Sequence, residues 1–215
     1  MKSKTTTDGG RDRVRLAQTD DSLQRQAGQR PCTAFAGARR IASGDLKDVV
    51  LKAKRIVDRG TPAPVLIFDD ASGEGIEVDF RGTPAGVLKR ISEPAPRGPG
   101  RPRLGVVARE VTLLPRHWDW LGIQPGGASV ALRKLVEEAR RVHAGKDRVR
   151  LAQNAAYRFM TTMAGDAPGF EEALRALFSG KLDDFEKRIA AWPAGVREHA
   201  KKLAAGAFER KATTK

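Results

Sequence analysis

The apolar positions of this chain fall into blocks of different period. Between 45 and 60 they recur at Val49, Val50, Ala53, Ile56 and Val57, one face of a helix that Asp45 opens and Gly60 stops. On either side the spacing shortens. "CTAFAGARRIASG" holds short β-prone runs separated by glycine. "APVLIFDDASGEGIEVDFRG" predicts a hairpin: an apolar strand, a turn of Asp, Ser and Gly, and an alternating strand through Ile76, Val78 and Phe80. "TPAGVLKRI" predicts a short helix with Thr83 as N-cap and Pro84 in its first turn.

From about residue 148 the pattern is helical, in amphipathic segments separated by Gly and Pro, with Phe159, Met160, Met163, Phe170, Leu174, Leu177, Phe178, Phe185, Ile189 and Trp192 as core positions. An aromatic and methionine stripe at helical spacing is ordinary core, so no cofactor is assigned to it.

The middle of the chain mixes both periods. "GVVAREVTLLP" predicts a strand, and Pro115 can begin the next helix because it gives up only an N–H that would be orphaned there. "RHWDWLGIQ" makes two turns at most and "PGGAS" a corner with Ser129 as N-cap. "VALRKLVEEARRVHA" predicts a helix burying Ala131, Leu132, Leu135, Val136 and Ala139. A strand and two short helices cannot close a core alone, so this unit needs a copy of itself or another domain.

The expected fold class is therefore α+β. A polar tail spans 1–30, a small N-terminal α+β domain 31–92, a basic Pro/Gly linker 93–105, the central unit 106–145, a helical C-terminal region 146–208 and a second tail 209–215. The heptapeptide "DRVRLAQ" occurs at both 12–18 and 147–153, with flanks that diverge at once.

Charge changes the picture. The chain carries a net +14, of which residues 94–150 hold +7, against +3, +1 and +3 for 1–30, 31–93 and 151–215. A local positive excess is the footprint of a polyanion partner, since each neutralised phosphate releases condensed counterions; its bland alternative is solubility. No apolar run approaches the ~20 residues of a membrane helix, and the basic opening lacks the apolar core of a secretion signal. A soluble, cytoplasmic protein is expected. The single cysteine, Cys32, reads as a small core residue.

Two local resemblances sharpen this. The order from 106 to 142 resembles the ribbon-helix-helix fold of bacterial repressors, through a strand ending in Leu114-Pro115, a helix with Trp118 and Leu121, and the turn Gly127-Ala128-Ser129. That resemblance implies a dimer whose paired strands enter the major groove, with phosphate held at the first turn of the second helix. The better strand phase turns Val111 and Leu113 inward and Glu110 and Thr112 to the groove, a set poor in base-reading side chains. Within the linker, "PGRPR" resembles the minor-groove AT-hook, with Pro99 where that motif has its first arginine; a plain basic linker is the alternative. The longer motifs "TAFAGARRIASGD", "GRPRLGVVAREVTLLPRHWDWL" and "QPGGASVALRKLVEEARR" are similar to an uncharacterised bacterial family, domain of unknown function 2239, which implies no activity.

The expectation is a non-enzymatic DNA-binding protein, a transcription regulator or nucleoid-type protein and a homodimer, that holds mainly the phosphate backbone of duplex DNA. The candidate contacts are Arg97, Arg101, Arg103, Arg109, Thr112, Arg116, Gly127, Ser129, Arg133 and Lys134. The alternative is a protein-interaction module, with a partner docked on the C-terminal helices. The histidines His117, His143 and His199 are scattered outside any catalytic pattern. The acids Asp69, Asp70, Glu74, Glu77 and Asp79 could form a cation site, but turn chemistry explains them; no metal or cofactor is expected.

Overall fold

The computed structural model describes residues 31–92 and 109–208, and the linker arginines Arg97, Arg101 and Arg103 lie outside them. The described chain is α+β: a three-stranded antiparallel sheet and seven α-helices, with a wholly helical C-terminal half. Residues 31–92 and 151–208 form one compact unit and 109–150 another.

In the first unit, β1 (Pro31–Ala36) is the central strand, flanked by β2 (Arg39–Asp45) and β3 (Val65–Asp69). Gly37, at φ 55°, turns β1 into β2. Both faces of β1 are covered, which is why it reads as a continuous apolar run rather than an alternating one. Cys32 and Ala34 pack with Val49, Val50 and Ala53 of helix α1 (Leu46–Asp58) and with Val87 of α2 (Pro84–Ser92). The caps are those the sequence predicts: Asp45 accepts from the Lys47 amide at 2.9 Å, and Thr83 accepts from the Gly86 amide at 3.2 Å. Lys54 is buried and paired with Asp58 one turn on.

The hairpin expected at 65–80 forms only its first arm. Asp69 and Ile76 donate their amides to Glu74 and Ile67 at 2.9 and 2.7 Å, and then the ladder stops. Residues 76–80 are not a strand. Arg90 of α2 takes the carbonyls of Asp79 and Arg81 at 2.8 and 2.6 Å, and Asp79 chelates Arg81, so this backbone bonds to α2 and to itself instead of to the edge of β3. Ile76, Val78 and Phe80 still pack on the α1 side of the sheet.

The helices α3 (Pro115–Gly122), α4 (Gly127–Ala164), α5 (Phe170–Phe178), α6 (Leu182–Ile189) and α7 (Ala194–Ala204) follow, with a 3-10 turn at Ala205–Ala207. Residues 151–164 of α4 and helices α5 to α7 cover the other sheet face. There Phe159 lies 5.4 Å from Phe35 and 5.0 Å from Phe68, ring centre to ring centre, and Met160, Leu177, Phe185, Ile189 and Trp192 complete the core. Met163, Phe170 and Leu174 are only partly buried, and Phe178, expected inside, is exposed at the end of its helix. The N-terminal sheet and the C-terminal helices thus share one interior. Trp192 donates its indole N–H to the Pro168 carbonyl at 3.0 Å. The turn after β3 sits hard against α4: Gly73 has φ 69°, and a Cβ there would lie 2.0 Å from the Ala155 carbonyl oxygen. Arg158 clamps this turn, reaching the Ser72 carbonyl at 3.2 Å and Glu74 at 3.3 Å.

The second unit departs further from expectation. Residues 109–114 form no strand, because a ribbon needs a ladder partner and none pairs with them among the described residues. Pro115 does begin α3, after an extended Leu114. Ser129 is not an N-cap: α4 starts two residues earlier, at Gly127. Gly145 does not end this helix, which runs 38 residues across it. One internal glycine costs about 1 kcal/mol, and the flanking stretches carry the i,i+3 pairs Glu137–Arg140, Glu138–Arg141 and Asp147–Arg150. Of the side chains expected inside, Ala131 is buried and Leu132 half-buried, whereas Leu135, Val136 and Ala139 face solvent.

Candidate functional site

The candidate DNA contacts fall on three stretches. Arg109 and Thr112 are exposed on the segment before α3, and Arg116 is exposed in its first turn. Gly127, Ser129, Arg133 and Lys134 lie in the first two turns of α4. Gly127 donates its amide to the Gln124 carbonyl at 2.9 Å, so one donor of this helix start is already engaged. Arg133 folds back, donating to the Ser129 carbonyl at 3.0 Å. Thr112 and Glu110 sit on no ribbon, which leaves the base-reading surface unformed among the described residues.

Helical geometry sorts the rest. At about 100° per residue, Arg133, Lys134, Arg140, Arg141 and Arg148 share an arc of roughly 120° on α4. One acid, Glu137, lies on that arc and pairs with Arg140 at 2.8 Å. On the opposite side Leu132, Leu135, Val136, Ala139 and Val142 make an apolar stripe. The helix is amphipathic in an unusual sense: most of its apolar side is exposed as well as its basic side, with Val142 64% accessible.

A second constellation lies in the first unit, where the sequence alone shows only turn acids and scattered histidines. His199 of α7 is fully buried between the rings of Phe35 and Phe159, at 5.5 and 4.6 Å. Its Nε2 is 3.5 Å from Asp70 Oδ1, and Lys202 Nζ is 2.7 Å from Asp70 Oδ2. The Asp70 side chain is 4% exposed. Burial pushes the imidazole down to about 4; Asp70 pulls the other way, and Lys202 and Arg40 push down further. The ring is therefore neutral at pH 7. Both its nitrogens, Asp70 Oδ1 and Thr33 Oγ1 are buried with no hydrogen-bond partner among the described residues. Such a group can hold α7 to the sheet, with His199 and the Asp70 carboxylate closed off from solvent. The sequence carries a signal for it: His199 stands in register with Val196, Ala200 and Leu203, a core stripe with one polar member.

The turn acids have local duties. Asp69 Oδ1 accepts from the amides of Ala71 and Ser72 at 2.9 and 2.8 Å. Hydrogen bonds from Arg81 hold the Asp79 carboxyl well below the usual carboxylate range. Among the described residues no three His, Cys, Asp or Glu side chains converge as metal ligands. Cys32 is buried, and burial first, then Asp70, Asp45 and Asp69, pushes its thiol up to about 12, so no thiolate forms near neutrality. No helix of the described residues is long and apolar enough to cross a membrane.

These features define an α+β protein in which a helix-covered sheet is joined to an amphipathic, basic helical unit. Residues 31–204 match the family described as an uncharacterized protein conserved in bacteria (DUF2239), and the chain belongs to that family. No curated protein and no solved structure matches it.

Proposed function

We propose that this protein binds duplex DNA through the phosphate backbone and catalyses no reaction. The observation that carries this reading is the basic arc of α4, Arg133, Lys134, Arg140, Arg141 and Arg148, inside the segment that holds half of the chain's net charge. Arg116 and, in the linker sequence, Arg97, Arg101 and Arg103 belong to the same local excess of positive charge. With Thr112 and Glu110 unsupported by a ribbon, backbone contact is favoured over base reading. The test is binding to a random-sequence duplex across a salt series. Affinity that falls steeply with salt, equally for unrelated sequences, is the expected outcome; no binding at low salt overturns the reading.

A second reading, a protein-interaction module, is favoured by a different observation. Trp118 and Trp120 are 43% and 48% exposed beside Ile123 and Leu114, more large apolar surface than a short segment ordinarily leaves in water. The C-terminal helices offer a groove lined by Leu182, Phe185, Ala205 and Phe208 together with the paired Glu186 and Lys201 for a protein partner. A labelled chain that pulls down no nucleic acid yet has its tryptophan emission shifted to the blue by a protein partner would decide for this reading.

A further inference from the structure

Around Val142, at one edge of the apolar stripe, the surface of α4 has a two-fold symmetry that points to an occupant; Leu132 and Val136 lie about 80° and 120° to one side of it. With the direction of Val142 as centre, Leu135 and Val149 lie seven residues either side and about 20° to opposite flanks. Glu138 and Lys146 lie four residues either side and about 40° to opposite flanks. Opposite charges thus stand at mirrored places beside an apolar centre, with the like charges Lys134 and Arg150, eight residues either side, about 80° out at the rims. That is the condition for an isologous interface, in which residue i meets j and j meets i.

We propose that a second copy of this chain docks on this face, α4 against α4 and antiparallel, about a two-fold axis at Val142. In that register Val142 meets Val142 of the second copy, Leu135 meets its Val149, and Glu138 meets its Lys146, twice by symmetry. Helix axes 8–10 Å apart, the usual packing distance, bring the Glu and Lys side chains within ion-pair reach. Glu138 already touches Arg141 at 2.7 Å, but both side chains are more than half exposed, and such a pair costs little to share. Lys146 pairs with no acid among the described residues, and Gly145, opposite Ala139 of the second copy, leaves room for close approach. A parallel pairing is disfavoured, because it sets Lys146 against Lys146. The pairing faces both basic arcs outward, but it does not rest on the DNA reading, since the mass of the protein is measured without nucleic acid.

The full-length chain is followed by sedimentation over a concentration series, with helicity checked by circular dichroism. The wild type sediments as a dimer, and Val142→Lys, at an exposed site that leaves the monomer folded, sediments as a monomer. Lys146→Glu weakens dimerisation by about tenfold or more, as two attractive contacts become repulsive. The double variant Glu138→Lys/Lys146→Glu restores it. Under mild oxidation Val142→Cys yields a disulfide-linked dimer, while the buried native Cys32 stays silent. A monomeric wild type, or a folded Val142→Lys dimer, overturns the proposal; a double variant as weak as Lys146→Glu overturns the register.

Discussion

His199 and Asp70 face each other inside the protein, ring nitrogen 3.5 Å from carboxylate oxygen, one on α7 and the other at the end of β3. The histidine is neutral because burial disfavours its charge more than Asp70 favours it. Its pKa is lowered from 6.5 to about 4 on folding, so the unfolded chain binds the extra proton first. The corresponding stability is fully present above about pH 6.5 and is lost as pH falls toward 4, to the extent of about 3 kcal/mol. Urea midpoints between pH 7 and 4 should fall accordingly. His199→Leu should flatten that acid limb, and an equally steep limb in the variant would remove His199 as its cause.

Lys202 is the partly exposed partner of a carboxylate that is otherwise sealed in. Lys202→Ala leaves Asp70 Oδ2 without its 2.7 Å hydrogen bond and should destabilise the fold by about 1–3 kcal/mol. Lys202→Arg should recover most of this. A denaturation midpoint unchanged in Lys202→Ala would show that solvent satisfies Asp70 equally well.

Gly73 and Gly60 both have positive φ, but a Cβ at Gly60 meets nothing within 4 Å whereas one at Gly73 collides with the Ala155 backbone. Gly60→Ala should therefore cost only the backbone penalty, about 1 kcal/mol. Gly73→Ala should cost about 3 kcal/mol or more, because the turn must leave α4. Equal losses in thermal unfolding would mean that this close approach is not maintained in solution.

For the DNA reading, replacing Arg97, Arg101 and Arg103 by Ala should lower duplex affinity and flatten the salt slope by about one unit for each phosphate that is no longer neutralised. Lys134→Ala with Arg141→Ala tests the helix separately. A slope that changes only with the linker variants would move the interface off α4.

The parts of the fold legible in the sequence are those fixed by local chemistry. Asp45 and Thr83 announce their helices because a side-chain oxygen three residues or fewer from an orphan amide needs nothing distant. Pro115 does the same for α3. The second hairpin arm is not legible, because its fate is decided by Arg90, about ten residues later, which takes the carbonyls of Asp79 and Arg81. Gly145 reads locally as a stop, yet the helix passes it on the strength of both flanks. Periodicity places Leu135 and Val136 on one apolar face, but it cannot say whether anything in the same chain covers that face. The Asp70–His199 approach joins residues over a hundred positions apart, and no spacing rule reaches that far.

The first unit is interrupted in sequence by the second, and this bears on its birth at the ribosome. Phe35 and Phe68 are made early, whereas Phe159, which seals them, follows Phe68 by about ninety residues, or roughly 5–20 s of synthesis. Through that interval one face of the nascent sheet lacks its cover, and the α1 side alone can consolidate. A chain halted before α7 emerges would hold sticky aromatic surface, the kind that chaperones and proteases meet on an unfinished product.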